Sequence, residues 1–360
     1  FGFVRERTGP SMPGIAPSST YRSEEGRYIV IAANSDSIFK RLMNAIGRED
    51  LAQDPELAHN DGRARRSDEL DAAIEGARRE AASSFGNDKL LLERSLAQPR
   101  HVGILVFADR QGACLHLFER DCSVQRRHQK VLEETPSPAL TDELRSDIGE
   151  KCAKAIREMG YEGVGTIEFL YENEEFYFIE IMTRLQVEHP VTEMVTGVDL
   201  VKEQIRVAAG LELSYKQEDI VLRGHAIECR INAEDPYNNF MPSPGLVTRW
   251  EPPGSIGVRI DSGLVVGSEI PTHYDSLFAK VVAWGDTRDT VVERMTRALT
   301  ERRVEGVMTN IPFHLKVMDD PSFREGDIDT TFIVRRQIIE HLVSEGEEAV
   351  AQETRVAAVI

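Results

Sequence analysis

Chemically active side chains are concentrated in residues 177–190, YFIEIMTRLQVEHP, where an apolar run of strand length becomes polar. Beyond Glu180, the residues Arg184, Gln186 and Glu188 occupy alternate positions. If the chain stays extended, alternate residues point to one side of the strand, so a cation, an amide and a carboxylate would face the same space as Glu180. This combination predicts a site that binds a small anion and accepts a proton from it.

A second carboxylate is expected beside Glu180. The apolar runs GTIEFLY (165–171) and FYFIEIM (176–182) flank an acidic turn, which predicts a hairpin. With the turn centred on Glu174, Glu168 lies opposite Glu180, about 5 Å away on the same face. Like charges placed in this way need compensation, and Mg²⁺ held by both carboxylates and by substrate phosphates would provide it. The alternative is a one-residue change of register that turns one glutamate to solvent.

Two other segments supply cations. ERDCSVQRRHQKVLEE (119–134) carries four basic residues and a histidine in an acidic chain, which suits capture of phosphate or carboxylate; these are Arg120, Arg126, Arg127, His128 and Lys130. A solvated basic loop is the alternative interpretation. CRINAED (229–235) places Arg230 inside a strand, where an arginine also occurs simply because its head reaches solvent at a sheet edge.

The composition limits the classes of function. The chain has 43 Lys and Arg against 61 Asp and Glu, a formal charge of −18, so a nucleic-acid or membrane partner is not expected. The four dispersed cysteines include no C-x-x-C pair, which favours a reducing, cytoplasmic location. The N-terminus lacks both a signal-peptide pattern and an initiator Met, so we expect a fragment or an incomplete reading frame.

The pattern of apolar residues predicts an α+β protein in four parts. Residues 1–78 form a small α/β segment, 79–210 an α+β region with strong strands, 211–341 a region of short strands and helices, and 342–360 an acidic tail without a clear structural pattern. Strands are expected on both sides of Gly112, and a helix is expected over 141–159.

The motifs of residues 79–340 closely resemble those of biotin carboxylase, the ATP-grasp component of acetyl-CoA, propionyl-CoA and pyruvate carboxylases. They occur in the family's order: RRHQKVLEE, GTIEF, EIMTRLQVEHPVTEM, GVDLVKEQIRVAAG, GHAIECRINAEDP, PSPG, YDSLFAKV and TNIPFHLKV. The resemblance implies an ATP-grasp core over 79–210, followed over 211–341 by the biotin carboxylase C-terminal domain. It implies that carboxyphosphate is made from ATP and bicarbonate, and that the ureido nitrogen of biotin is then carboxylated.

The resemblance also implies roles for individual residues. Glu168 and Glu180 would hold the metal at the ATP phosphates. Bicarbonate would be bound by Lys130, Arg184, Gln186 and the backbone at Val187, with Glu188 as the base. Arg230 would stabilise the biotin enolate, so the implied catalytic residues are Glu188, Arg184, Arg230 and Lys130. The nucleotide pocket would further include Glu93, Leu96, His101, Gln125 and His128.

The implied cofactors are ATP, Mg²⁺ or Mn²⁺, and biotin on a separate carrier, since the chain has no Ala-Met-Lys-Met motif. The implied partners are a biotin carboxyl carrier protein or domain, a carboxyltransferase subunit and a second copy in a homodimer. Residues 1–78 instead resemble part of a class III CoA-transferase, outside the portion that carries its catalytic aspartate.

The chain departs from the biotin carboxylase pattern in two ways. The family's N-terminal domain and glycine-rich lid have no counterpart, because the CoA-transferase-like segment stands in their place and the chain has no Gly-Gly pair. Met182 stands where the family has the Asn of Glu-Met-Asn-Thr-Arg, and a thioether is a poor partner for magnesium. We therefore expect impaired activity. The alternatives are a non-catalytic assembly or dimerisation module, or a CoA-transferase fragment with an appended domain.

Overall fold

The computed structural model describes residues 18–22, 28–32, 35–86 and 96–357 of the 360-residue chain. The chain forms two compact units, residues 1–97 and 98–360. The four-part division with boundaries at 78, 210 and 341 stays a prediction.

The first unit contains a two-stranded antiparallel sheet and several helices. Its elements are β1 (Ser18–Arg22), β2 (Tyr28–Ala32), α1 (Asp36–Ala45), α2 (Glu49–Gln53), a 3₁₀ helix (Pro55–Leu57), α3 (Asn60–Arg65) and α4 (Ser67–Phe85). Helix α1 begins because the Ser35 side chain accepts a hydrogen bond from the N–H of Ile38. Phe39 and Leu42 lie on the buried face of α1 and pack with Leu57 from the 3₁₀ helix.

The second unit is built on an eight-stranded antiparallel sheet with the order β15-β17-β10-β7-β4-β3-β8-β9. The strands of this unit are β3 (Arg100–Ala108), β4 (Cys114–Asp121), β5 (Gln125–Arg126), β6 (Gln129–Lys130), β7 (Leu132–Thr135), β8 (Gly163–Glu172), β9 (Glu175–Met182), β10 (His225–Asn232), β11 (Glu234–Asp235), β12 (Met241–Pro242), β13 (Gly245–Leu246), β14 (Arg249–Glu251), β15 (Val258–Ser262), β16 (Glu269–Ile270), β17 (Leu277–Gly285) and β18 (Arg303–Glu305). The large sheet thus takes strands from both sides of residue 210.

Helices cover this sheet and surround its core. They are α5 (Asp142–Glu158), α6 (His189–Thr196), α7 (Leu200–Ala208), α8 (Arg288–Glu301), α9 (Ile311–Asp319), α10 (Pro321–Glu325), α11 (Phe332–Arg335) and α12 (Ile338–Ala357), with a 3₁₀ helix at Gln217–Asp219. Central strand β3 is apolar on both faces because Ile104 packs in the cluster of α5 while Leu105 packs in the cluster of α7. The predicted strands around Gly112 and the predicted helix over 141–159 are confirmed as β3, β4 and α5.

The β8–β9 hairpin pairs Glu168 with Glu180 as predicted, although the turn is not where the prediction placed it. Asn173 and Glu174 together form a two-residue turn with φ of 52° and 64°, and Glu172 pairs with Glu175. From this turn alone the register would put Glu168 opposite Ile179. A β-bulge between Glu168 and Phe169 adds one residue to β9 and restores the pairing with Glu180.

The acidic C-terminal residues, where the sequence has no clear structural pattern, continue helix α12 as far as Ala357. Leu342 of this helix is buried and belongs to the same apolar cluster as Val317 and Phe332. Within the described part of the chain, no helix is long and apolar enough to cross a membrane.

We expect Arg302→Leu to raise the free energy of unfolding of the second unit by about 1–4 kcal/mol. A buried charge without a counterion destabilises the folded state through its lost hydration, and an apolar residue of similar volume does not. Arg302 is 6% exposed, and all three of its guanidinium nitrogens lack a hydrogen-bond partner among the described residues. It stacks on Trp250 at 4.7 Å and on Phe278 at 5.4 Å, and burial lowers the pKa of Arg302 to about 9. Urea unfolding followed by circular dichroism measures the change. Arg302→Lys keeps the charge and is the control, and a loss of stability in Arg302→Leu would contradict the argument.

Candidate active site

The second unit contains a pocket of about 340 Å³ on the face of the sheet that carries Glu168 and Glu180. It is lined mainly by charged and amide side chains from β6, β8, β9, β10 and the loop before α6. The lining residues are His101, Arg126, His128, Gln129, Lys130, Val131, Glu168, Glu180, Met182, Arg184, Gln186, Val187, Glu188, Arg230, Asn232, Glu234, Asp275 and Leu277.

Lys130 connects the two carboxylates at the centre of this pocket. Its Nζ donates to Glu168 Oε1 at 2.7 Å and to Glu188 Oε1 at 2.8 Å. The side chains of Glu168 and Glu188 are 4% and 2% exposed, so these charged hydrogen bonds are shielded from water. One ammonium group therefore holds the expected metal-binding carboxylate and the expected base in fixed positions.

Glu188 stands at the N-terminus of α6 and has three cations around it. Besides Lys130, Arg230 Nη2 reaches Glu188 Oε2 at 3.1 Å. Burial raises the pKa of Glu188, but the positive charges of Arg120, Lys130 and Arg230 outweigh burial and lower it to about 2. The carboxylate is therefore ionised and able to accept a proton, but it is a weak base while these cations remain on it.

Glu168 is held by three hydrogen bonds. Gln186 Nε2 donates to Oε1 at 2.6 Å in addition to Lys130, and His101 Nε2 donates to Oε2 at 2.7 Å. Burial raises the pKa of Glu168, but the hydrogen bond from His101 and the charge of Lys130 outweigh it and hold the pKa well below its usual range. The Glu168 carboxylate is thus fixed in its ionised form, which a metal ligand requires.

The donor set fits a magnesium ion shared with a substrate. Exposed Glu180 lies directly opposite Glu168 and faces the same pocket, and Mg²⁺ in phosphate-transfer sites is typically held by one or two carboxylates plus phosphate oxygens. In the described residues there is no cluster of three or more His, Cys, Asp or Glu that could form a complete protein cage for a metal. Glu168 and Glu180 would therefore hold Mg²⁺ together with substrate phosphates.

Met182 also lines this pocket, two residues after Glu180 on β9. We expect Met182→Asn to strengthen Mg²⁺ binding by about tenfold, because an amide oxygen replaces a thioether beside the two carboxylates. Mn²⁺ titration in the presence of ADP, followed by electron paramagnetic resonance, would measure the affinity. Met159→Asn, at an exposed methionine that follows α5, is the matched control. Unchanged affinity in Met182→Asn would show that this side chain does not reach the metal.

Arg184, Gln186 and Val187 come to the pocket from a loop. Strand β9 ends at Met182, so the condition of an extended chain beyond Glu180 holds only that far. Arg184, Gln186 and Glu188 nevertheless all line the pocket. The exposed Arg184 guanidinium forms no ion pair with any described residue, and its one hydrogen bond among them is to the carbonyl of Leu185, at 3.3 Å. A free guanidinium beside Lys130 is suited to a small anion.

A strained turn presents His128 and Lys130. β5 and β6 pair Gln125 with Lys130 and Arg126 with Gln129, which leaves Arg127 and His128 as a two-residue turn with φ of 49° and 63°. Positive φ at two residues that are not glycine costs energy. The turn carries His128 and Lys130 to the pocket.

The residues expected around the nucleotide fall into three groups. His101 and His128 line the pocket. Gln125 is buried, and its Nε2 donates to His101 Nδ1 at 2.8 Å, so it supports His101 from behind. Leu96 belongs to the first unit, and Glu93 lies outside the described residues. The nucleotide role of all five stays a prediction.

The sequence predicts no site role for Glu133 or Lys280, and it gives Arg120 only as one of the basic residues suited to capture phosphate or carboxylate. Fully buried Arg120 donates from Nη2 to Gln186 Oε1 at 2.5 Å and fixes the amide that holds Glu168. Lys280 Nζ donates to the carbonyl of Val187 at 2.9 Å. Lys280 interrupts the apolar run LFAKVVAW, which is the sequence feature that could have indicated a role in the site. Arg120 and Glu133 stand next to other charged residues and carry no such signal.

Three family models match the chain. "CoA-transferase family III" matches residues 1–90, "Carbamoyl-phosphate synthase L chain, ATP binding domain" matches 61–216, and "Biotin carboxylase C-terminal domain" matches 228–335. The first two models overlap over residues 61–90.

Among proteins of known structure, the biotin carboxylase domain dimer of Hydrogenobacter thermophilus 2-oxoglutarate carboxylase, in complex with MgADP, ADP and bicarbonate, is 40% identical with a TM-score of 0.70. The alignment covers 85% of this chain and 68% of that one. The chain belongs to the biotin carboxylase family. Haemophilus influenzae biotin carboxylase is 54% identical over 272 residues, covering 76% of this chain and 60% of the relative. Bacillus subtilis biotin carboxylase 1 is 53% identical over 272 residues, covering 75% and 60%. This biotin carboxylase family member thus spans about 60% of the length of these two curated relatives.

Proposed function

We propose that this chain catalyses the ATP- and bicarbonate-dependent carboxylation of biotin on a separate carrier, through carboxyphosphate. The observation that carries the proposal is the Lys130 bridge between Glu168 and Glu188 at 2.7 and 2.8 Å. Glu168, which would hold the metal, and Glu188, which would accept a proton, lie on either side of this one cation in one pocket. An ATP phosphate and a bicarbonate ion brought to these two carboxylates would lie side by side.

In this proposal, bicarbonate is bound by the Lys130 ammonium, the Arg184 guanidinium, the Gln186 amide and the N–H of Val187. Lys280 and Arg120 support this set, since Lys280 holds the Val187 carbonyl and Arg120 holds Gln186. Mg²⁺ at Glu168 and Glu180 would neutralise charge on the ATP phosphates. The pocket then presents cations to both anionic substrates, which otherwise repel each other.

Glu188 is the proposed base that takes the proton of bicarbonate. With Lys130 and Arg230 on its two oxygens, the carboxylate is weakly basic. Bicarbonate that binds to Lys130, and biotin that binds to Arg230, would compete for these donors. Each donor withdrawn from Glu188 raises its proton affinity, so the base becomes stronger when the substrates are present.

Arg230 is the proposed group that stabilises the enolate oxygen of biotin. Its side chain is 17% exposed and reaches the pocket from β10, and Glu133 Oε1 accepts from its Nε at 2.7 Å. A guanidinium that is fixed before the substrate arrives stabilises developing negative charge without reorganisation.

The proposed function is tested by ADP release with MgATP, bicarbonate and free biotin, together with calorimetric titration of MgADP. We expect ATP hydrolysis that requires bicarbonate and MgADP binding that is lost with Glu168→Gln. Hydrolysis that is the same with and without bicarbonate, or no detectable binding of MgADP, would overturn the proposal; the second outcome would favour a non-catalytic module. The expectation that activity is impaired stays a prediction, tested by comparing the rate with that of a biotin carboxylase that has the glycine-rich lid.

Partners are also part of the proposal. A biotinylated carrier protein or domain would deliver biotin, a carboxyltransferase subunit would use the product, and a second copy would form a homodimer like that of the Hydrogenobacter biotin carboxylase domain. A cytoplasmic location agrees with four cysteines that are all free and buried. Sedimentation velocity tests the dimer, and a biotinylated carrier offered in place of free biotin tests the carrier.

A further inference from the structure

Two fully buried glutamates lie behind Arg230, and the proposed chemistry gives neither of them a contact with substrate. Glu133 of β7 and Glu228 of β10 are both 0% exposed, and they are direct cross-strand partners. Alternation along β10 places Glu228 and Arg230 on the same face of the sheet. The two carboxyl groups and the guanidinium are therefore neighbours on the face that also carries the pocket.

Glu133 and Glu228 have too few hydrogen-bond donors around them for both carboxyl groups to be ionised. Glu133 Oε1 accepts from Arg230 Nε and Nη2 at 2.7 and 2.5 Å. The other oxygen of Glu133 and both oxygens of Glu228 are buried without a hydrogen-bond donor among the described residues. Two ionised carboxylates directly opposite each other repel, and a buried one without a donor carries the full cost of desolvation. A single proton on one of the two groups removes the repulsion and the cost of a second buried charge.

The charged groups that face Glu228 come from each neighbouring element. They are Glu133 on β7, Arg230 on the same strand, Lys280 on β17 and Glu188 at the start of α6. Burial and the charge of Glu133 raise the pKa of Glu228 well above its usual value, against the opposing effect of Lys280 and Arg230. Glu133 has the better access to a cation, because it alone of the two is hydrogen-bonded to Arg230. The proton therefore belongs on Glu228.

We propose that Glu133 and Glu228 hold one proton between them and act as a singly charged pair that positions the Arg230 guanidinium against Glu188. The consequence for catalysis rests on the proposed function of Arg230, whereas the shared proton does not. The pair gives Arg230 one full counter-charge from behind and fixes Nη2, which contacts both Glu133 and Glu188. Nη1 forms no hydrogen bond with a described residue and stays available to substrate. Glu133 and Glu228 are positioning residues, since they act on substrate only through Arg230.

The shared proton is tested by the pH dependence of thermal unfolding in Glu228→Gln. The unfolded chain loses the Glu228 proton above about pH 4.5 while the folded chain keeps it, so this glutamate lowers the stability of the folded state as pH rises. We expect the unfolding midpoint of Glu228→Gln relative to the natural chain to increase between pH 5 and 8 by roughly 3 °C per pH unit. A glutamine that preserves a neutral group should fold normally.

The control is Glu134→Gln, at a neighbouring, equally buried glutamate that is paired with Arg288 and His225. The unfolding midpoint of Glu134→Gln should be lower than that of the natural chain at neutral pH. This decrease is the effect expected when the buried carboxylate that is removed was ionised. The proposal is overturned if Glu228→Gln behaves like Glu134→Gln, if it does not fold, or if its midpoint relative to the natural chain falls with pH.

A second measurement tests the positioning of Arg230. Glu133→Gln should lower biotin-dependent turnover by about 100-fold, as expected for a misplaced catalytic group, and this loss should exceed the loss in bicarbonate-dependent ATP hydrolysis without biotin. Equal losses in both reactions would mean a merely structural role for Glu133. If the natural chain shows no bicarbonate-dependent hydrolysis at all, the proposed function fails, and the thermal experiment still decides whether the pair shares a proton.

Discussion

Glu188→Gln is expected to reduce bicarbonate-dependent ATP hydrolysis by about 10²–10⁴-fold, the usual contribution of a positioned general base. The amide has the size of the carboxyl group and can still accept from Lys130, but it cannot take a proton. The steady-state rate with saturating MgATP, measured as a function of bicarbonate, gives the size of the effect. We expect the loss in kcat, because Lys130, Arg184 and Gln186 still bind the anion.

The comparison variant for this experiment is Glu174→Gln, in the exposed turn between β8 and β9, which should retain the natural rate. Calorimetric titration of MgADP should give the same affinity for Glu188→Gln as for the natural chain, because Glu168 and Glu180 are intact. A Glu188→Gln chain that hydrolyses ATP at an unchanged, bicarbonate-dependent rate would exclude this carboxylate as the base.

Glu134→Gln is expected to destabilise the second unit by about 3–5 kcal/mol at pH 7, the usual cost of breaking a buried ion pair from one side. Glu134 is 0% exposed, and its carboxylate accepts from Arg288 Nε at 2.7 Å and from His225 Nε2 at 2.7 Å. Burial raises the pKa of Glu134, but Arg288 and His225 outweigh burial and lower it to about 2. Urea unfolding at several pH values measures the change.

The sign of the pH dependence follows from this lowered pKa. A carboxylate that binds its proton less tightly in the folded state stabilises the fold above about pH 4.5, and the contribution disappears as pH falls towards 2. The difference between Glu134→Gln and the natural chain should therefore be full at pH 7 and shrink between about pH 4.5 and pH 2. A difference that does not change over this interval would contradict the assignment of the charge to Glu134.

The local elements could be predicted because short-range patterns specify them. Apolar runs of strand length separated by turn residues gave β3, β4, β8 and β9, and a helical pattern of apolar residues gave α5. The pairing of Glu168 with Glu180 was also predicted correctly, but the hairpin geometry assumed for it was wrong in two places. Two shifts of one residue, at the turn and at the bulge, cancel each other, and neither is visible in the pattern of apolar residues.

The contacts that bring the site together were harder to predict because they are long-range. Arg120 meets Gln186 across 66 positions, and Arg230 meets Glu133 across 97. Both depend on the order of strands in the large sheet, which places β10 beside β7 and β8 beside β3. Strand order is decided by the packing of the whole sheet against its helices, so a single sequence does not specify it.

The sequence by itself determined which side chains are candidates for the proposed chemistry: carboxylates, a lysine and arginines at set spacings, in motifs that resemble biotin carboxylase. Only the tertiary structure decided which of these groups are charged and which partners they have. Lys130 is placed between Glu168 and Glu188, and Glu228 is enclosed beside Glu133 without a donor among the described residues. The physical reason is that a charge is set by its burial and its neighbours in space, and both arise when strands far apart in the chain come together.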